Sequence, residues 1–104
     1  MNQEPRLIGT MEAFCETLNI FETCYANVDM LALVIEALDG EPIGTLTVAL
    51  PGVVLEPGEF TVKTWSENEP MRAPALATGL FVDTGKRIPQ GFVEAEVWRR
   101  ATVH

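Results

Sequence analysis

The sequence predicts one α+β domain in which an antiparallel sheet of about five strands is covered by one short helix. Three observations support this prediction. The 104 residues are 47% hydrophobic, which suits a single compact core. Two β-type runs flank the turn pair Asp39-Gly40, which predicts a central hairpin over residues 31–50. Apolar residues then recur at helical spacing near residues 68–79, where we expect the helix.

The central hairpin shows a different pattern in each strand. The first strand is apolar on both sides, which is typical of a strand covered on both faces. The second strand alternates Leu46, Val48 and Leu50 with more polar residues, which indicates one buried face and one more solvent-exposed face. Because an isolated hairpin is not stable in water, further strands must pair with it.

The segment before the hairpin contains two patterns. Residues 18–25 are rich in β-formers, so residues 18–50 predict a three-stranded meander with a turn at residues 26–29. Residues 10–19 fit a helix, because Met11, Phe14 and Leu18 follow helical spacing, and the sequence leaves helix and strand open there. Residues 6–8 are expected to form a brief edge strand or a loose end.

After the hairpin, residues 60–65 alternate and predict a fourth strand. The helix is expected to begin at the capping-box pair Ser66 and Glu69, with Asn68 as a second candidate cap, and to end at Gly79. Pro74 predicts a kink or a helix start, because proline has no amide donor.

The last part of the chain is expected to contain turns, a strand and a tail. Residues 83–86 and 89–91 predict turns, and residues 92–98 predict a last strand with one wet face. Residues 99–104 are expected to be a loose tail.

Acidic residues are concentrated in the first part of the chain. The net charge is −8, and residues 1–59 contain ten acids and one base, Arg6, which gives −9. Residues 60–104 contain five acids and six bases. A negative field disfavours nucleic acid and acidic membranes as direct partners and favours a basic protein surface. Acidity that only keeps the protein soluble is the alternative explanation.

The sequence also indicates a compartment. No apolar run approaches the ~18 residues of a membrane span, and the N-terminus lacks a basic stretch followed by an apolar one. We therefore expect a cytoplasmic protein. In that reducing environment, Cys15 and Cys24 are expected to be free thiols that act as small core residues.

No combination of nucleophile and base predicts catalysis. The single histidine, His104, is the last residue, and Ser66 is better explained as a helix cap than as a nucleophile. The glycines are scattered at turns and form no phosphate-binding loop. We therefore predict no enzymatic activity and no cofactor.

Two pairs of nearby carboxylates could hold a divalent cation or perform acid–base chemistry, namely Glu67 with Glu69 and Glu94 with Glu96. A solvated helix start and a solvated strand face explain them better, so no metal site is predicted. The two tryptophans, Trp65 and Trp98, either pack under the helix or form an exposed binding patch, and core packing is favoured.

Four stretches between residues 44 and 93 form a characteristic set. They are residues 44–52 (Gly-Thr-Leu-Thr-Val-Ala-Leu-Pro-Gly), 59–69 (Glu-Phe-Thr-Val-Lys-Thr-Trp-Ser-Glu-Asn-Glu), 79–81 (Gly-Leu-Phe) and 84–93 (Thr-Gly-Lys-Arg-Ile-Pro-Gln-Gly-Phe-Val). Together they resemble a family of small bacterial domains of unknown function carried by plasmids, integrated elements and phages. The resemblance covers roughly residues 18–100 and implies no catalytic residue. It implies a mobile element acting inside a host cell.

These observations predict a small, acidic, non-enzymatic binding protein of a mobile element. Its acidic part would engage a basic surface of a host protein that handles nucleic acid, with carboxylates in the positions of phosphates. A counter-defence inhibitor is the concrete version. The residues predicted to contact the partner are Glu22, Asp29, Glu36, Asp39, Glu41, Trp65, Glu67 and Glu69.

Two alternatives remain open. The first is a structural or accessory module that forms a homodimer through a strand edge and the surface around Trp65 and Trp98. The second is a small metal-dependent enzyme or regulator that uses the carboxylates of Glu67, Glu69, Glu94 or Glu96.

Overall fold

The computed structural model describes residues 4–25, 30–50 and 52–101, which form two antiparallel β-sheets and one short helical segment. The first sheet contains, in spatial order, β1 (Arg6–Ala13), β2 (Glu16–Cys24), β3 (Leu31–Ala37) and β4 (Pro42–Thr45). The second sheet contains β5 (Glu59–Val62), β7 (Val93–Arg100) and β6 (Phe81–Gln90), with β7 in the centre. The α+β class is therefore confirmed, whereas the single sheet of about five strands is wrong.

The segment that sequence reasoning left open is a β-hairpin. Met11 and Ala13 of β1 and Leu18 and Ile20 of β2 are buried at alternate positions, which is the period of a strand. The register places Met11 opposite Leu18, so these side chains share one face of the sheet. β1 is longer than the brief edge strand expected at residues 6–8.

The predicted central hairpin is present, but its second strand is short. β3 and β4 are joined around Asp39 and Gly40, and Gly40 has a φ of 92° that glycine adopts without strain. β4 ends at Thr45, because the next residues pair with two strands at once. The Leu46 amide donates to the Leu33 carbonyl (2.8 Å), while the Leu46 carbonyl accepts from the Lys63 amide (2.9 Å).

This segment, residues 46–48, connects the two sheets. The Val48 amide donates to the Thr61 carbonyl of β5 (3.0 Å), and Thr47 forms a bridge with Val62. The Thr47 hydroxyl is buried and accepts the Leu33 amide (3.1 Å) in place of a strand carbonyl. The second sheet therefore continues from the edge of the first.

The helical segment begins at Ser66, the first residue of the pair at which the start is predicted, and it changes type along its length. It is a 3-10 helix over Ser66–Met71 followed by α1 (Arg72–Ala77). Pro74 is the third residue of α1, so its missing amide falls in the first turn. Gly79 lies just beyond α1 with a φ of 77°, near the predicted stop.

The predicted capping box is wrong. No side chain caps the 3-10 helix, whose preceding residue is Trp65, and Ser66 has a φ of 57°. Asn68 is buried, and its side-chain amide nitrogen donates to the Thr45 carbonyl (2.8 Å). This bond fixes the 3-10 helix against the end of β4.

The core lies between the two sheets and under α1, which contacts the outer strands β1 and β6. Trp98 is fully buried, and its ring centroid lies 6.0 Å from that of Phe81. Core packing of Trp98 is therefore confirmed. Trp65 is half-buried, with the Lys63 ammonium 6.0 Å from its ring centroid.

Three further expectations are corrected. The turn at residues 83–86 is an irregularity within β6, where the Asp83 carboxylate accepts the Gly85 amide (2.9 Å). β7 extends through Arg100, so the expected tail at residues 99–104 begins inside a strand, and residues 102–104 lie outside the described chain. Cys15 and Cys24 are both exposed rather than part of the core.

Candidate protein-binding surface

Five acidic residues occupy one end of the first sheet. In an antiparallel meander, the β1–β2 turn and the β3–β4 turn lie at the same end. Four of the residues are exposed and one, Glu36, is half-buried. We call this surface the acidic end of the first sheet, and its residues are Glu12, Glu16, Glu36, Asp39 and Glu41.

The strand register explains why these carboxylates are neighbours. Glu12 of β1 lies opposite Thr17 of β2, whose hydroxyl is 2.7 Å and 3.0 Å from the two carboxylate oxygens of Glu12. Glu36 of β3 lies opposite Asn19, two residues from Thr17 on the same face. β1 and β3 are two strand spacings of about 4.8 Å apart, and the two positions are offset by two residues along the strands, so Glu12 and Glu36 are on the order of 12 Å apart, more than the Debye length of about 8 Å at physiological salt. Salt therefore screens most of the interaction between these two carboxylates, and the negative field of this end is strongest at low salt.

The basic residues are paired with other acids. Six of the seven Lys and Arg residues lie within ion-pair distance of a carboxylate, and the seventh, Arg99, is exposed. The pairs are Arg6–Glu22, Arg100–Glu22, Lys63–Glu67, Lys86–Glu59, Arg72–Glu96, Arg72–Asp83, Arg87–Asp83 and Arg87–Glu96. Among residues 4–25, 30–50 and 52–101, no base pairs with the acidic end of the first sheet.

The largest group of these pairs, four of the eight, connects α1 with the second sheet. Arg72 Nε donates to Glu96 (2.8 Å), whose other carboxylate oxygen accepts the Trp98 indole N–H (2.9 Å). Glu96 is buried, so the expectation of a solvated face is wrong for Glu96, although Glu94 is exposed. Hydrogen bonding to Glu96 raises the pKa of Arg72.

Asp83 joins the same group. Arg87 donates two bonds of 2.9 Å to the Asp83 carboxylate, and these bonds hold the pKa of Asp83 below its ordinary value of 3.8. A similar bond from Lys86 lowers the pKa of Glu59. These bases neutralise acids of the second sheet, and Arg6 and Arg100 neutralise Glu22 of β2, so none of these pairs involves the acidic end of the first sheet.

Two apolar side chains protrude beside the acidic residues. Phe14, in the β1–β2 turn, is 49% exposed, and Leu38, in the β3–β4 turn, is 65% exposed. Leu38 lines a groove of about 350 Å³ together with Glu16, Asp39 and Glu41. Phe14 and Cys15 have φ values of 55° and 60°, a conformation usually taken by Asn-Gly in two-residue hairpin turns.

The residues predicted to contact a partner are separated by the structure. Glu36, Asp39 and Glu41 belong to the acidic end of the first sheet. Glu22 is bound by Arg6 and Arg100, and Asp29 lies outside the described residues.

The other predicted contacts lie around the 3-10 helix. Glu67 is bound by Lys63, whose hydrogen bond lowers the pKa of Glu67 to about 2. Glu69 is exposed, and Trp65 precedes the 3-10 helix. Trp98 has no exposed surface with which to form the dimer patch considered above.

Glu12, Glu16, Phe14 and Leu38 were missed by sequence reasoning. The two glutamates flank a turn that helical spacing obscured. An alternation was nevertheless present, because Met11 and Ala13 are apolar whereas Glu12 is not. Within the described part of the chain, no three His, Cys, Asp or Glu side chains group as a metal site would require.

Comparison of the chain with family models, curated proteins and solved structures finds no match. None of the helices within residues 4–25, 30–50 and 52–101 has the length and apolar character needed to cross a lipid bilayer.

Proposed function

We propose that the protein is a non-enzymatic binding protein whose acidic end of the first sheet engages a basic surface of another protein. One observation carries this proposal. Six of the seven Lys and Arg residues form ion pairs elsewhere, whereas within residues 4–25, 30–50 and 52–101 no base pairs with the five carboxylates at this end. A surface of one charge sign attracts an oppositely charged partner and accelerates their encounter.

The partner class we propose is a host protein that handles nucleic acid. Such proteins present Lys and Arg side chains that neutralise phosphates, and carboxylates can occupy the same positions. The resemblance of residues 18–100 to domains of plasmids, integrated elements and phages supports a mobile-element setting inside a host cell. A counter-defence inhibitor is the concrete form of this proposal.

Affinity capture from bacterial lysate with two charge-reversed variants tests the proposal. The first carries Glu12→Lys, Glu16→Lys and Glu41→Lys. The control carries Glu4→Lys, Glu56→Lys and Glu94→Lys at other exposed positions. Each set of three reversals changes the net charge from −8 to −2, so the variants differ only in where the charge changes.

We expect the wild type and the control to retain nucleic-acid-binding proteins that moderate salt or added DNA releases. The first variant should lose them, because rim charges govern association and its salt dependence. Equal loss from both variants would mean that only total charge matters. Retention of partners in high salt by all three proteins would contradict the proposal.

A further inference from the structure

We infer that Phe14 and Leu38 are apolar anchors within the acidic end of the first sheet, so that the partner it fits is a basic protein surface containing an apolar pocket. This inference rests on the proposed function and specifies its partner. Phe14 and Leu38 are respectively 49% and 65% exposed and lie in the two turns at this end. Carboxylates surround both turns.

The arrangement matches the anatomy of protein interfaces. Binding energy comes mainly from a few buried apolar or aromatic anchors, and the polar rim around them excludes water and sets specificity. Glu12 and Glu16 flank Phe14 along the hairpin, and Asp39 and Glu41 follow Leu38 in the next turn. Apolar anchors flanked by carboxylates are complementary to an apolar pocket flanked by Lys and Arg.

A surface that only replaced phosphates would not need these anchors. Carboxylates alone bind Lys and Arg through Coulomb attraction, which salt screens. Apolar burial is not screened in this way. The inference therefore predicts two separable contributions, one removed by salt and one removed by truncating Phe14 or Leu38.

Isothermal titration calorimetry with two synthetic peptides tests whether Phe14 and Leu38 act as apolar anchors. Both carry the same number of lysines, arranged on each side of a central Leu-Leu pair in one peptide and Ser-Ser in the other. The proteins are the wild type, Phe14→Ser, Leu38→Ser and the control Phe92→Ser. Phe92 is fully exposed in the β6–β7 turn, which belongs to the second sheet, whereas the five carboxylates belong to the first.

We expect the wild type and Phe92→Ser to bind the Leu-Leu peptide about tenfold more tightly than the Ser-Ser peptide, as expected from partial burial of a leucine side chain. Phe14→Ser and Leu38→Ser should reduce this preference and leave the salt dependence unchanged. The two variants act in different turns, so a folding defect in one, visible by circular dichroism, leaves the other as the test.

Equal affinity of the wild type for the two peptides would overturn the anchor inference and leave the acidic binding proposal standing. If neither peptide bound at low salt, both proposals would fail. A preference for the Leu-Leu peptide that survived in both turn variants would also overturn the inference.

Discussion

Phe14 and Cys15 hold the β1–β2 turn in a left-handed backbone conformation that residues with a Cβ seldom adopt. Their φ values of 55° and 60° place both central residues of the turn in the region that Asn-Gly normally supplies. Each such residue costs about 1–2 kcal/mol relative to its ordinary conformation. The turn contains the large, exposed side chain of Phe14 despite this unfavourable conformation, and strained backbone of this kind is often found at binding sites.

Replacing the pair with the preferred turn sequence tests this interpretation. The double substitution Phe14→Asn and Cys15→Gly should raise the free energy of unfolding by about 1–2 kcal/mol, because Asn and Gly adopt the left-handed region with less strain. Urea unfolding measures the change. The same variant should bind a partner less tightly. An unchanged or lower free energy of unfolding would show that Phe14 and Cys15 are not strained.

Thr47 is the residue on which the connection between the two sheets depends. Its buried hydroxyl accepts the Leu33 amide of β3 and lies 3.0 Å from the Tyr25 hydroxyl, while its backbone bridges to Val62 of β5. A side chain thus supplies the acceptor that a strand carbonyl would otherwise provide. This lets residues 46–48 leave β4 without leaving a buried donor unsatisfied.

Thr47→Val keeps the shape of the side chain and removes the acceptor. We expect it to lower the free energy of unfolding by about 1–3 kcal/mol, the cost of an unsatisfied buried amide. Thr47→Ser retains the hydroxyl and is the matched control, with a smaller loss from the missing methyl group. Thermal or urea unfolding gives both values. A greater loss for Thr47→Ser would contradict the assigned role.

Strands and turns were predictable where a local pattern had one interpretation. Asp39-Gly40 is a recognised turn pair between two β-type runs, and β5 and β7 follow an alternating pattern. The β1–β2 hairpin was not predictable in this way, because Met11, Phe14 and Leu18 also satisfy helical spacing and Phe-Cys is not a recognised turn pair. The division into two sheets depends on the long-range bonds of residues 46–48, which no local pattern contains.

The candidate site was predictable in part for the same reason. Glu36, Asp39 and Glu41 flank a recognisable turn, so their exposure followed from the hairpin. The neutralisation of Glu22 could not be predicted from local sequence, because its partner Arg100 lies 78 residues further along the chain. Glu96 likewise sits at an alternating position that appears solvated until Arg72 of α1 is placed over it.

Across the whole molecule, the ion pairs of the second sheet imply a specific response to acid. Arg87 lowers the pKa of Asp83 below 3.8 in the folded protein. A carboxyl whose folded pKa is depressed contributes stability above its unfolded pKa, and this contribution is lost as pH falls through the folded value. The stability provided by Asp83 is therefore complete at neutral pH and disappears in acid.

The comparison of wild type with Asp83→Asn isolates this effect. At about pH 7 the variant should have the lower free energy of unfolding, and the difference should shrink as pH falls below about 4, the pKa of an unperturbed Asp. Urea unfolding at several pH values measures it. A matched Asp39→Asn variant removes an acid that has no base beside it and should show no such loss. A difference for Asp83→Asn that stayed constant with pH would contradict the ion-pair account.

Charge is distributed unequally between the two sheets, and the proposed function depends most on this difference. The second sheet and its helix contain nearly all the Lys and Arg residues, each paired with an acid except Arg99, whereas no base in the described part of the chain pairs with the acidic end of the first sheet. Nuclear magnetic resonance titration of the labelled protein with deca-lysine at low salt tests this directly. We expect the largest amide shift changes at residues 12–17 and 36–41, reversed by added salt. Changes centred on Glu56 and Glu94, or spread evenly over both sheets, would contradict it.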